Sequence, residues 1–272
     1  MKPAAVPLLL MTALACAPLK VENPVTGERQ FVAGLTPAEE VDLGRKALPE
    51  ILKQYGGEDP DPAVRALVKR VGQGVVSRSG AAKSGYPYEF HVLGDRKVLN
   101  AFALPGGQVF ITRCLLDRLA NEAQLAAVLG HEVGHVVARH GAEHMAKAKV
   151  SGLLVWLAGA AASNPEHPEH AQRTQELASI AAGLVNLRYG REDELEADAL
   201  GVRFMSEAAW DPRAMVGVME VLRKSAPDGR PPEFLSTHPN PENREQRIQD
   251  RIREQFPKGV PGTHTLGAAL RR

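Results

Sequence analysis

Two histidines and a glutamate stand in the pattern of a metal-dependent hydrolase. They lie in the segment His131-Glu132-Val133-Gly134-His135, inside an apolar stretch typical of a helix. Histidines four residues apart share one face of a helix, so both rings can point at one ion. A carboxylate directly after the first histidine can act as a base without binding that ion. The pattern therefore predicts two neutral imidazole ligands for zinc, with Glu132 as general base for the activated water. A helix with two surface histidines is the alternative.

A catalytic zinc site needs a third protein ligand, and the sequence offers several candidates. Glu194 and Asp198 are one turn apart on a second predicted helix, so one carboxylate can bind the metal while the other orients a ligand. Glu196 lies about 160° from Asp198 around that helix. His238 stands in a proline-flanked loop that can approach the metal. Spacing alone slightly favours Glu194, and a solvated acidic helix face is the alternative for the cluster.

The whole chain has the length and composition of an ordinary globular protein. It has 272 residues and a formal net charge of +1, which argues against a general polyanion-binding protein. We therefore expect no nucleic-acid partner. One large domain fits this length, and we place it at residues 35–256.

The N-terminus has the features of an export signal. Residues 1–15 are short, apolar and weakly charged at the start, and Ala13-Leu14-Ala15 before Cys16 is similar to a bacterial lipobox. We expect Cys16 to be lipidated, with a tether over residues 16–34. A plain signal peptide, or a disulfide between Cys16 and Cys114, is the competing interpretation.

Caps, prolines and apolar spacing predict the elements that position these residues. The motif helix should begin at Asn121 and run to about His140, with a break at Gly141. A tail without order is expected over residues 257–272. The other predicted helices and strands are a helix from Thr36-Pro37 to about Tyr55, a second from Asp61-Pro62, strands Tyr86–Leu93, Lys97–Leu104 and Gln108–Thr112 in a small antiparallel sheet, and helices at Thr174–Phe204, from Asp211-Pro212 to about Lys224 and from Pro241 to about Gln255.

Five motifs follow one another in the order of a known family. The sequence resembles metallopeptidase family 48, the gluzincins related to the CAAX prenyl endopeptidases, and in particular its exported bacterial lipoprotein branch. The resemblance covers nearly the whole mature chain. The motifs are Asn100-Ala-Phe-Ala-Leu-Pro-Gly-Gly107, His131-Glu-Val-Gly-His135, Arg139-His140, Glu194-Leu-Glu-Ala-Asp198, and Ser236-Thr-His-Pro239 followed by Arg244.

The resemblance implies a fold and a ligand set. The fold class is α+β: a mostly helical zincin-type metalloprotease with a small antiparallel sheet whose edge strand faces the active-site cleft. One Zn²⁺ per chain would be held by His131, His135 and Glu194, with Asp198 orienting the imidazole of His131. Two roles stay open for His238, as a donor to the oxyanion or as an occupant of the open zinc position that keeps the enzyme latent. A histidine near the start of the last helix, without a catalytic role, is the third option.

The expected activity is zinc-dependent cleavage of unfolded or misassembled cell-envelope proteins. The strand beginning at Gln108 is the candidate edge for an extended substrate, with Gln108, Val109, Phe110 and Ile111 as substrate-binding residues. The expected partners are extended peptides, a membrane through the lipid anchor, and other envelope assembly factors. We expect an outer-membrane lipoprotein facing the periplasm. The alternatives are a chaperone-like quality-control factor with little turnover, and a structural zinc site closed by His238.

Overall fold

A computed structural model describes residues 20–31, 35–147, 182–185, 188–225, 232–239 and 243–270. The predicted signal peptide and Cys16 lie outside the described residues, as do residues 174–181 of the helix predicted at Thr174–Phe204. The described part of that prediction is helical at 182–185 and from Arg191 onwards, but not at 188–190. None of the described helices is both long and apolar enough to cross a membrane.

Helices make up most of the described chain. Three begin at the caps that the sequence predicts: the side chains of Thr36, Asp61 and Asn121 each accept a hydrogen bond from a first-turn N–H group. Further helical residues lie at 140–147 and 182–185. The named helices are α1 (Pro37–Gln54), α2 (Pro62–Ser77), α3 (Arg113–Leu116), α4 (Glu122–Val137), α5 (Arg191–Glu207), α6 (Ala214–Lys224), α7 (Glu233–Thr237) and α8 (Arg244–Gln255).

A short hairpin and a three-stranded sheet complete the fold. Strand β1 (Lys20–Glu22) pairs antiparallel with β2 (Arg29–Phe31). The larger sheet contains β3 (Glu89–Leu93), β4 (Ala101–Ala103) and β5 (Gln108–Thr112), in the order β3-β5-β4. The α+β class is therefore confirmed, with a mostly helical chain and a small sheet.

The predicted sheet arrangement is wrong in two respects. The sheet is mixed, because β5 runs parallel to β3 and antiparallel to β4. Strand β5 lies between the other two, so Gln108, Val109, Phe110 and Ile111 have neighbours on both sides and are buried. They cannot offer a free edge to a substrate. The three consecutive apolar residues within β5 are typical of a strand that is covered on both faces.

Helix α4 is the centre of the molecule, and it is buried along its length. It packs against α2, α5 and α6. The contact with α5 is close because glycines face it: a Cβ on Gly134 would lie 2.9 Å from the Ala197 carbonyl oxygen, and a Cβ on Gly201 would lie 3.1 Å from the backbone nitrogen of His131. The two backbones therefore approach more closely than side chains would allow.

The C-terminal end of α4 is held by residues distant in sequence. The helix ends at Val137 and the chain turns at Arg139, whose φ is +57°. The predicted break at Gly141 is therefore wrong by about half a turn. Arg139 Nε donates to Glu40 Oε1 over 2.9 Å, and the side chains of Asn23 and Gln30 donate to the Val137 and Ala138 carbonyl oxygens. The bonds from Asn23 and Gln30 satisfy carbonyl groups that a helix end leaves without a partner.

The C-terminal tail is ordered over residues 257–270, contrary to expectation. Its backbone carbonyl groups at Leu266 and Ala268 accept from the N–H groups of Ala123 and Glu122, each over 3.0 Å. Those N–H groups belong to the first turn of α4, where a helix has no internal acceptor. The tail therefore caps the N-terminal end of α4, and Asn23 and Gln30 cap its C-terminal end.

Candidate metal centre

Four buried residues each place one potential metal-ligand atom in the space between α4, α5 and the end of α7. His131, His135, Glu194 and His238 place these atoms within 4.8 Å of one another. Nε2 of His131 and Nε2 of His135 are 3.0 Å apart, because a spacing of four residues puts both rings on the same side of α4. Glu194 reaches them from α5, with Oε1 at 3.3 Å from His135 Nε2 and Oε2 at 3.5 Å from His131 Nε2.

The spacing of these atoms fits a tetrahedral ion. Ligands about 2.05 Å from zinc at tetrahedral angles lie about 3.3 Å from one another, and the separations just given surround that value. Glu194 Oε2 makes no hydrogen bond among the described residues, although Arg244 Nη1 lies 3.1 Å away at an unfavourable angle. Buried polar atoms without partners are costly, and a cation among the four residues would satisfy them.

The charge state of the donors suits a metal site. Burial lowers the pKa of His135 well below its usual value, which keeps the imidazole neutral and its nitrogen free to bind. Burial alone would raise the pKa of the Glu194 carboxyl. The neighbouring His238, His135 and His131 outweigh burial and hold that pKa well below its usual range. Glu194 is therefore an anion, as a ligand of a divalent cation should be.

Asp198 forms a hydrogen bond with one of the two candidate ligand histidines. Its Oδ1 is 2.9 Å from Nδ1 of His131, so a proton on that nitrogen leaves Nε2 free to face the other donors. The guanidinium of Arg244 donates to both oxygens of Asp198, over 2.7 and 2.8 Å. Burial raises the pKa of Asp198, but Arg244 and His131 reverse this and bring it below its usual value. Arg244, on α8, therefore holds the aspartate ionised and in place.

Glu132 lies beside the donor set without belonging to it. Its side chain is fully buried, and neither oxygen has a hydrogen-bond partner among the described residues. Burial raises the pKa of Glu132, and the nearby His238 and His131 offset only part of the effect. A carboxyl group whose pKa is raised towards neutrality is suited to take up and release a proton.

His238 closes the remaining side of the cluster. Its Nδ1 is 2.9 Å from Glu194 Oε1 and 3.4 Å from His131 Nε2, and its Nε2 is 3.8 Å from Glu132 Oε1. Burial lowers the pKa of His238, but Glu194 and Glu132 raise it above its usual value. His238 is 0% exposed, so in the part of the chain that the structure describes it covers this side of the cluster.

The sequence did not predict which aromatic and histidine side chains contact the cluster. The ring of Tyr189 stacks on His135 at 4.0 Å, and Phe234 stacks on His238 at 4.5 Å. His140 contacts His135, and Glu196 points at His140 and away from the four donors. The Arg139-His140 motif marked the position of this histidine, but nothing local indicates the chain turn that brings it back to His135.

The comparisons with known proteins agree with this geometry. A family model described as Peptidase family M48 matches residues 62–252. The chain is 31% identical over 230 residues to the beta-barrel assembly-enhancing protease of Escherichia coli strain K12, which covers 81% of this chain and 46% of that protein. It is 33% identical over 236 residues to the mitochondrial metalloendopeptidase OMA1 of Schizosaccharomyces pombe, covering 85% of this chain and 66% of that protein. The chain thus spans about half the length of its bacterial relative.

The third ligand can be tested by comparing two glutamates on one helix. Glu194→Ala removes the only carboxylate in the donor set, so we expect bound zinc to fall from about one ion per chain to less than about half after dialysis, because the imidazoles of His131, His135 and His238 offer a buried divalent cation no negative charge. Glu192→Ala alters an exposed acid in the first turn of α5 and should keep about one ion. Metal analysis of both purified chains measures this. Full zinc in the Glu194 variant would exclude this residue as a ligand.

Proposed function

The chain belongs to peptidase family M48, and from that premise we propose that it is a zinc-dependent endopeptidase. The observation that carries the proposal is the convergence of donor atoms from two histidines and one glutamate, on two helices, with the buried Glu132 beside them. His131, His135 and Glu194 would hold the zinc ion, and Glu132 would act as the base. The donor set of two histidines and one glutamate is one that zinc peptidases use.

The chain's own residues would supply proton transfer and orientation. When bound, zinc polarises the scissile carbonyl group and lowers the pKa of water towards neutrality. Glu132 would take a proton from the attacking water and pass it to the leaving amine. Its two oxygens have no competing partner among the described residues, so both are free for this task. Asp198, held by Arg244, would keep His131 in the tautomer that binds through Nε2.

The substrate would pair with β4. This strand has a hydrogen-bonded neighbour, β5, on one side, and it takes the place of the strand that the sequence indicated. Ala103, Leu104 and Pro105 share a small cavity with His135 and Tyr189, so a peptide along this edge would pass beside the ligand histidine. Pairing through the main chain reads few side chains, which suits unfolded or misassembled substrates.

His238 would hold the enzyme latent until a substrate arrives. Its Nδ1 faces the same centre as the other donors, which favours occupation of the open zinc position over an oxyanion role. The helix that carries it is fastened beside β4: Phe234 N donates to the Leu99 carbonyl oxygen over 3.2 Å, and Glu233 Oε1 accepts from Asn100 Nδ2 over 2.9 Å. A peptide that pairs with the start of β4 would compete with α7 for these groups.

The substrates would be proteins of the cell envelope. The relative from Escherichia coli is named for enhancing beta-barrel assembly, and the predicted lipobox at Cys16 would place this chain at a membrane outside the cytoplasm. Assembly factors for outer-membrane proteins would then be its partners. The mass of the mature N-terminal peptide tests the anchor: we expect a lipidated Cys16, and an unmodified peptide cut elsewhere would exclude it.

The enzymatic proposal is tested by Glu132→Gln, which keeps the size of the side chain and removes its basicity. We expect about one zinc per chain, as in the wild type, and a loss of casein cleavage of at least about 100-fold, since general base catalysis contributes 10²–10⁴-fold. Glu192→Gln should match the wild type in both. Wild-type cleavage by the Glu132 variant would refute the mechanism. If this variant still supports envelope assembly in cells, that result would favour the alternative of a chaperone-like factor with little proteolytic turnover.

Latency is tested by His238→Ala, which removes the ring from the cluster. We expect basal casein cleavage to rise by about tenfold, with about one zinc retained, because three protein ligands remain. The initial rate and the metal content of the same preparation measure this. Lower activity with full zinc would assign His238 to the oxyanion. Loss of zinc and activity together would indicate a closed structural site.

A further inference from the structure

A second chain of contacts begins at His135, on the side away from the donor set. Nδ1 of His135 is 2.9 Å from Nδ1 of His140, and Nε2 of His140 is 3.2 Å from Glu196 Oε2. His140 is only 2% exposed, whereas the side chain of Glu196 is 28% exposed. The three residues therefore link the buried cluster to the protein surface.

The chemistry of imidazole allows one proton arrangement along this chain. A histidine binds a metal through a nitrogen without a proton, and His135 turns Nε2 towards the other donors. Its Nδ1 then carries the proton and donates to Nδ1 of His140, which must be bare. The proton of His140 is consequently on Nε2, where Glu196 accepts it. Every nitrogen and the carboxylate oxygen then have matching roles. The reverse assignment would put the proton of His135 on Nε2, which could not bind a metal, and would place a bare Nε2 of His140 against the carboxylate oxygen of Glu196.

The backbone is shaped to make this contact. Residues five apart on a continuous helix point about 140° apart, so His140 could not reach His135 if α4 continued. The chain instead turns at Arg139 in the left-handed region, which is unfavourable for a residue with a side chain. The buried ion pair of Arg139 with Glu40, and its bond to the Leu35 carbonyl oxygen, stabilise this turn. The strained residue directly precedes His140.

We propose that His140 is a positioning residue that fixes the tautomer and ring orientation of His135, and that Glu196 completes it. This inference rests on the proposed zinc site. It gives each ligand histidine its own orienting partner, with a different chemistry for each. His131 contacts a carboxylate directly, whereas His135 contacts an imidazole whose own N–H group donates to a carboxylate. Glu196, which lies outside the donor set, thereby has a defined role.

The test compares two substitutions of similar size at His140. His140→Leu fills the space but cannot accept a hydrogen bond, and we expect it to weaken zinc binding by about 10- to 100-fold. His140→Asn has a similar shape and offers Oδ1 near the position of Nδ1, so it should recover most of that loss. His144→Leu is the control, because His144 bonds to Asp193 and not to a ligand histidine. It should stay within about threefold of the wild type. Glu196→Leu should weaken zinc binding in the same direction as His140→Leu.

Zinc affinity of each purified chain is measured by competition with a chelating dye, and the visible spectrum of the cobalt-substituted chains reports ligand orientation. Melting of the metal-free chains identifies any variant that fails to fold, in which case the Asn and Glu196 variants carry the test. Equal affinity of the Leu and Asn variants, or wild-type affinity in the Leu variant, overturns the role of His140. Unchanged affinity in the Glu196 variant overturns the role of Glu196. If the wild type binds no zinc, the proposed function fails first.

Discussion

The close approach of α4 and α5 is the constraint on which the site depends. His131 and His135 come from one helix and Glu194 and Asp198 from the other, so the donor atoms meet only if the backbones nearly touch. The absence of a side chain at Gly134 permits this approach, since a Cβ there would clash with the neighbouring helix. The burial that results shields the donor atoms from bulk solvent. Electrostatic interactions inside it are therefore stronger than they would be at the surface.

Burial of so many ionisable groups would be unfavourable if their charges were not matched. Asp198 is balanced by Arg244, and Arg139 is balanced by Glu40 at the end of α4. Glu194 lies against imidazole rings, and a divalent cation would complete its environment. Glu132 makes no hydrogen bond among the described residues, and burial raises its pKa more than the nearby His238 and His131 lower it. The same arrangement that stabilises the ligands thus leaves the proposed base reactive.

Local signals in the sequence predicted the helix caps and the shared face of the two histidines, whereas spacing only slightly favoured Glu194 among the candidates for a third ligand. Caps such as Asn121 act through neighbouring N–H groups, and the spacing of His131 and His135 follows from helix geometry, so both are readable without tertiary information. The order of the sheet was not predictable in this way, because it depends on which strands meet in three dimensions. The turn at Arg139 is also set from outside, by an ion pair with Glu40, 99 residues earlier. A glycine two residues later gave the misleading signal.

Anomalous diffraction at the zinc absorption edge, from crystals of the chain purified with zinc, tests the central claim most directly. The account predicts one strong peak between α4 and α5, about 2.0–2.1 Å from Nε2 of His131, from Nε2 of His135 and from a carboxylate oxygen of Glu194. His238 would supply the fourth contact in the latent state. A peak elsewhere, or a peak at this place with no contact to Glu194, would contradict the account.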